Sequence, residues 1–252
     1  MPACHALLTA ALLALLSGPY ATAQEALPPP ADSQEADTSE FEGFEDEFAA
    51  AKPVRDPLRH YNRFMFHVND RIYFWVFRPV AIGYGKVVPQ GARKAVERCA
   101  TNLEFPVRFV NCGLQGKFRK AGREAGRFGV NTTVGLLGLF DPARSWLHME
   151  PSDEDFGQTL GWYGVREGWP VVLPLLGQSN VRDAFGLIPD TLMKPTSYVK
   201  SPEVSAGIWC YRQANYVSLH VGVYESLKRD AIDPYTMMRD AYSEMRKDRI
   251  RE

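Results

Sequence analysis

The chain has 252 residues, of which 45% are hydrophobic and 23% charged, with a formal net charge of −1. That is ordinary for a globular fold of one large or two small domains, not for a fibrous or wholly disordered chain. The near-neutral total conceals a division. No Lys or Arg precedes Lys52, nine of the 30 acids lie between Glu25 and Glu47, and the body from Lys52 onward carries about +8. A basic body suits anionic partners such as lipid head groups, the plain alternative being a solvated basic face.

In chain order, residues 1–23 hold an apolar run from Ala6 to Leu16 and then Ala21-Thr22-Ala23, the small-x-small pattern of a signal peptidase site. The run is too short to span a bilayer, so 1–23 is read as a signal peptide cut near Gln24. Residues 24–52 form an acidic, Pro-rich tail read as disordered, although Phe41, Phe44 and Phe48 interrupt its polarity. The body, 53–252, is predicted to be a single, mainly α domain. Asp56 and Pro57 read as N-cap and first helical position of a helix over 56–77 that stops before Pro79. Its Tyr61, Phe64, Met65, Val68, Ile72 and Trp75 follow the rhythm of one buried stripe. Phe66, Tyr73, Phe74 and Phe77 spill beyond that stripe, and Arg59, Arg63, Arg71 and Arg78 edge it. Two readings stay open here, a helix buried in a compact domain and an interfacial helix with its rings at head-group depth.

Further helices are expected over 90–101, 105–115 and 117–137, then 202–228 and 234–247, bounded by Pro89, Pro106, Gly116 and Asp233-Pro234. The middle, 141–199, reads as Gly/Pro/aromatic-rich loop with one short helix near 181–187 and few strands. The helix over 117–137 carries the strongest hints of mechanism. Arg119, Arg123 and Arg127 recur every four residues and so align on one face, either a ladder able to hold phosphate oxygens or bridge to acids on a neighbour, or a solvated edge. Ala121, Ala125 and Gly129, beside Gly122 and Gly126, form small rows that permit another helix to approach closely. Beyond Arg127 the tip has no ionisable group up to Asp141, and Gly135 and Gly138 make it bendable, like a re-entrant hairpin dipping into one leaflet.

An enzyme is not indicated. Gly177-Gln178-Ser179-Asn180-Val181 lacks the second glycine of a nucleophile elbow, Gly83-Tyr84-Gly85 is no nucleotide fingerprint, and the histidines are scattered. Asp153, Glu154 and Asp155 read as solvated loop acids. Cys99, Cys112 and Cys210 have no metal spacing and read as buried, packed thiols. No catalytic residue, metal or cofactor, and no nucleic-acid partner, is expected.

The segment 156–183 contains Phe156, Gly157, Gly161, Tyr163, Gly164, Gly168, Pro170, Pro174, Gly177, Arg182 and Asp183 in an order too irregular for a filler loop. Around it stand Asp56-Pro57-Leu58, Asn62-Arg63, Phe66, Asn69, Arg78-Pro79, Asn102 to Pro106, Asn111, Arg127-Phe128, Asn131-Thr132, Phe140-Asp141, Asp233-Pro234-Tyr235, Arg239 and Tyr242. As an ordered set these landmarks resemble the MlaA/VacJ family, the outer-membrane component of a bacterial phospholipid-trafficking system. The resemblance implies a ring of amphipathic helices lying in the inner leaflet of the outer membrane around an amphipathic channel. Phospholipid mislocalised to the outer leaflet would pass through it to a periplasmic carrier, with a trimeric porin as further partner. Arg78, Arg127 and Asn131, with Arg119 and Arg123, are then the candidates for head-group donors, and Gly135, Gly138 and Asp141 for a hinge. The family's lipid-accepting cysteine is absent, because Leu16-Ser17-Gly18 is followed by Pro19. That departure puts a lipid anchor in doubt and keeps two alternatives in play, a soluble periplasmic lipid- or ligand-binding protein and a porin-bracing adaptor that moves no lipid.

Overall fold

The computed structural model describes residues 54–252. The expected signal peptide (1–23) and acidic tail (24–52) lie outside the described residues.

The first helix is built in three pieces. α1 (Arg59–Ile72) runs into one π turn (Tyr73–Phe77) and on through α2 (Arg78–Val87). The expected stop before Pro79 does not occur. The π turn takes a wider bond from Arg78 N–H to the Tyr73 carbonyl, and this accommodates a proline that has no N–H to give. Asp56 is not its cap either. The helix starts at Arg59 with no side-chain cap, and the Asp56 carboxylate instead accepts from Asn62 Nδ2 at 2.9 Å and from the Tyr235 hydroxyl.

α3 (Gln90–Leu103), α4 (Phe105–Leu114) and α5 (Phe118–Thr133) fall where the sequence places them, with Gly116 at φ +71° closing α4. α5 stops at Thr133, four residues short of expectation. The chain then turns through Leu136, Leu137 and Gly138, at φ +50°, +60° and +94°, into the short α6 (Pro142–Ser145), whose N-cap is Asp141.

The supposed loop region is largely ordered into elements: α7 (Phe156–Trp162), strands β1 (Pro170–Leu173) and β2 (Gly177–Asn180), and α8 (Val181–Met193). The strands pair antiparallel from Pro170↔Asn180 to Leu173↔Gly177. Pro170 opens its strand, where an absent N–H is tolerated, and Gly177 at φ +85° helps turn the hairpin. After a 3-10 turn (Pro195–Tyr198) come α9 (Pro202–Leu219), α10 (Val223–Asp230) and α11 (Pro234–Arg251). The single helix expected over 202–228 is split at Gly222, whose φ of +95° no helix interior admits.

Neighbouring elements form a closed circuit. α2 packs on α9, α9 on α3, α3 on α4, α4 on α7, α7 on α8, α8 on β1, and β1 on α1, which returns through the π turn to α2. α11 packs against α7 and β2.

The polarity of this circuit is inverted. Among the described residues, buried polar and charged side chains outnumber buried apolar ones by nearly two to one, while Phe64, Trp75, Phe118, Leu137, Trp146, Phe185 and Ile188 stand exposed. The stripe of α1 predicted to be buried shows the reversal: Phe64 is 64% and Trp75 71% exposed, whereas Asn62 is fully buried. Water as sole solvent gives no reason for such a distribution, and hydrocarbon does. No helix of the described residues is long and apolar enough to cross a membrane.

Candidate functional site

The inner face of α1 presents Asn62, Phe66 and Asn69, and the π turn continues it with Tyr73. Asn62 donates to the Pro170 carbonyl at 2.9 Å and accepts from Val172 N–H at 2.9 Å. One helical repeat on, Asn69 donates to the Leu173 carbonyl at 2.9 Å and accepts from Leu175 N–H at 2.8 Å. Two primary amides thus stand in for a neighbouring strand along the outer edge of β1 and its turn, each giving one hydrogen bond to a peptide carbonyl and taking one from a peptide N–H. Behind this seam lies a cavity of about 410 Å³, bounded by α1, the hairpin, α9, α10 and α11. Phe66, Val172, Tyr216, Val217 and Met238 lie on its wall, and no acidic or basic side chain borders it.

Arg78 stands just beyond the π turn. Its Nε donates to Glu225 at 2.8 Å, and Glu225 also accepts from the Tyr73 hydroxyl and the Gly222 N–H, each at 3.0 Å. Burial pushes the Glu225 carboxyl up, but the Arg78 bond and the others outweigh it and leave the carboxyl below its usual range. Burial first, and the Glu225 charge second, raise the Tyr73 hydroxyl. Arg78 therefore fastens α10 to the π turn.

The arginine ladder does not form one face. Arg119 and Arg123 are exposed, whereas Arg127 is buried and turned inward. Arg127 bonds the Met149 carbonyl and Asp141, Nη2 lying 3.1 Å from Oδ2. Asn131 donates to Asp141 at 2.8 Å and accepts from Ala143 N–H at 3.1 Å. Burial raises the Asp141 carboxyl, yet these bonds hold it below the usual range. The three residues clamp the foot of the apolar tip. Within the tip, Gly138 lies against Asn102, where an added Cβ would meet Asn102 Cβ at 2.6 Å, and a Cβ on Gly135 would meet the Asn131 carbonyl at 2.5 Å. Leu136 and Leu137, left-handed without being glycine, share the strain. Among the described residues the small rows are mostly open: Ala121 is buried, but a Cβ on Gly122 or Gly129 would meet nothing within 4 Å.

The 156–183 segment folds around a buried ionic centre. Arg246 of α11 spans Asp155 with bonds of 2.6 and 2.8 Å, and its Nε lies 2.7 Å from Asp183. Asp183 also takes the Tyr242 hydroxyl at 2.8 Å and Arg182 Nε at 2.9 Å. Asp155 and Asn180 cap α7 and α8. The signature glycines divide by role. Gly164, Gly168 and Gly177 hold positive φ. Gly157 and Gly161 instead permit close approach, to Asp183 and to Ile250 and Arg182, and the hidden Gly186 meets the Gly157 N–H. Tyr163 donates to the Leu114 carbonyl at 2.6 Å, while Pro174 is exposed at the hairpin loop. Phe156 gives its N–H to Asp190. Burial raises Asp155, but Arg246 overrides it and holds the carboxyl at about 2. Burial and the facing Asp155 charge push Asp190 up to about 6, against bonds from Phe156 N–H and Asn111.

Two expectations fail here. Glu154 and Asp155 are buried, and only Asp153 of the three adjacent acids is exposed, because Lys117, Lys120 and Arg246 reach them. Among the described residues Cys99, Cys112 and Cys210 are free, and of these only Cys112 is buried, at 3.4 Å from Ser152 Oγ, while Cys210 is exposed. Sequence reading passed over Gln178, Glu124, Asp190 and Arg246 as functional candidates. For the three charged residues the signal is positional, since a buried charge announces itself only when its distant partner is known. Asn62 and Asn69, seven apart on one helix, were the more legible hint.

Residues 54–249 match the sequence profile of the family described as MlaA lipoprotein. The chain is 35% identical over 194 residues to the intermembrane phospholipid transport system lipoprotein MlaA of Shigella flexneri, covering 74% of this chain and 75% of the relative, and 34% identical over 194 residues to its Escherichia coli counterpart, with the same shares. An uncharacterized protein of Rickettsia felis is 32% identical over 75% of each chain. A structure solved in work on the structural basis for maintenance of bacterial outer membrane lipid asymmetry superposes with a TM-score of 0.69 and 33% identity, across 78% of this chain and 99% of that one. With the profile spanning most of the chain and the relatives identical at about a third of the aligned positions, the chain belongs to the MlaA lipoprotein family.

Proposed function

We propose that this chain works in phospholipid transport that maintains outer-membrane lipid asymmetry. In this reading it takes mislocalised phospholipid from the outer leaflet through the space inside its helical circuit to a soluble carrier on the periplasmic side. The observation that carries the reading is the inverted polarity, with charges and amides inside and Phe64, Trp75, Leu136, Leu137 and Trp146 outside. Such a chain sits stably only where its rim meets acyl chains. A polar head group crossing hydrocarbon unaided faces a barrier of at least several kcal/mol, which a polar-lined passage lowers. Family membership supports the same reading through relatives named for intermembrane phospholipid transport.

Within it, residues 53–252 are the working domain and a trimeric porin the outer-membrane partner. Arg119 and Arg123, both exposed, and the half-exposed Arg78 remain the candidates for meeting phosphate directly. Arg127, Asn131 and Asp141 act through the tip they clamp, with Gly135 and Gly138 as its close-packed joints. Deleting the gene should sensitise cells to detergent with chelator, and the intact gene should restore resistance. The protein should stay with outer membranes through a salt wash. Full release by salt would favour a soluble lipid binder instead.

A further inference from the structure

The cavity bounded by α1, the hairpin, α9, α10 and α11 is walled mainly by apolar side chains, with the half-buried Gln213 also on its wall, and holds one buried amide whose hydrogen bonds are missing. Gln178 of β2 borders it, is 5% exposed, and has no protein partner for either Oε1 or Nε2. Asn69, Tyr73 and Tyr224 border the same space and are engaged, with β1, Glu225 and Asp70 respectively. A buried primary amide left unpaired is a standing free-energy penalty, so its persistence calls for a partner. The size, about 410 Å³, is that of a small-ligand site.

The chemistry of the wall restricts the partner. A phosphate or a free carboxylate would enter without a counter-charge, because no basic side chain borders the space. A bare alkyl chain would leave the amide as unpaired as before. A neutral carbonyl on an alkyl chain satisfies both wall and amide. We propose that the cavity seats one acyl chain of a glycerophospholipid, its phosphate remaining outside and its ester carbonyl accepting a hydrogen bond from Gln178 Nε2 once that side chain turns toward the space, both amide atoms being covered over in this structure. This rests on the lipid-transport reading and deepens it: the cargo is held at the ester level, so lipids with different head groups bind alike. On its other side Gln178 borders a cleft of about 20 Å³ shared with Tyr242 and Arg246, room for one water. A water there that satisfied the amide would make Gln178 merely structural, and the test must separate the two roles.

The full chain in amphipol is photolabelled with a lysophosphatidylcholine bearing a diazirine on its acyl chain, and labelling of peptides containing Leu176 or Met238 is read by mass spectrometry. Competitors are the unlabelled ester lipid, its ether analogue, which lacks the carbonyl, lysophosphatidylglycerol, and chainless glycerophosphocholine. The ester should compete roughly three- to tenfold better than the ether, the span of one net hydrogen bond. Lysophosphatidylglycerol should match it, and glycerophosphocholine should not compete. Gln178→Met, which keeps the length and removes the amide, should erase the ester preference, retain chain labelling, and raise the thermal midpoint of the unliganded protein. Gln178→Asn, a shorter amide, should fold and lose only part of the preference. Equal competition by ester and ether in the wild type, or a lowered midpoint in Gln178→Met with the ester preference intact, overturns the anchor. Labelling elsewhere, or competition by glycerophosphocholine, overturns the acyl seat. Neither result touches the cellular lipid-asymmetry measurement, so the two readings fail separately.

Discussion

At the scale of single residues the protein is held by buried charges whose partners lie far apart in sequence. Arg246 meets Asp155 across 91 positions and touches Asp183 as well. Replacing Arg246 by Met leaves Asp155 buried without its cation, Asp183 keeping Arg182, a loss of about 3–5 kcal/mol expected for breaking such a pair, to be read as a drop in the denaturation midpoint. Asp190 behaves oppositely. Its folded value of about 6 lies above the ordinary carboxyl value of 3.8, so its contribution is complete below about pH 4 and is lost as pH rises toward 6. Asp155, held at about 2, contributes above about pH 4 and loses that contribution as pH falls toward 2. Asp190→Asn keeps an acceptor for the Phe156 N–H and removes the charge facing Asp155. It should raise stability at pH 7 by about 1–3 kcal/mol and flatten the profile between pH 4 and 6. An unchanged slope in that window would show that Asp190 does not carry it. None of this could be read from the sequence, where Asp155 looks like one of three loop acids.

At the scale of elements, the helices of the body were legible because Pro and Gly mark their ends, and 234–247 appears as α11 with four further residues. What escaped was local geometry that overrides those marks. The π turn carries α1 past Pro79, and paired asparagines rather than a stripe of aromatics choose the face of α1 that turns inward. The 156–183 segment hid a hairpin and two helices because its glycines serve close packing as much as turns. The tip between α5 and α6 is the strained element. Gly138→Val places a β-branched side chain at φ +94° against Asn102, a strain of roughly 1–3 kcal/mol. Lipid asymmetry should change while protein abundance stays near normal, with Lys247→Ala, an exposed i, i+3 pair with Glu244, as the silent control. If Gly138→Val only removes protein from the membrane, the tip is scaffold and not a moving part.

At the scale of the whole molecule, a closed circuit of helices encloses polar groups and turns aromatic and aliphatic side chains outward. Composition could not disclose this, since inversion changes where residues sit and not how many there are. The ordered landmarks from Asp56 to Tyr242 did disclose the family, and among them Asn62 and Asn69 join α1 to the hairpin within the circuit. The central claim is that the enclosed space moves phospholipid out of the outer leaflet. The measurement that tests it most directly is outer-leaflet phosphatidylethanolamine, labelled on intact cells with a membrane-impermeant amine reagent, in a strain lacking the gene and in that strain carrying it again. The account predicts a rise on deletion and a return to the original level on complementation. A deletion strain with unchanged outer-leaflet phospholipid, and no compensating pathway induced, would contradict it.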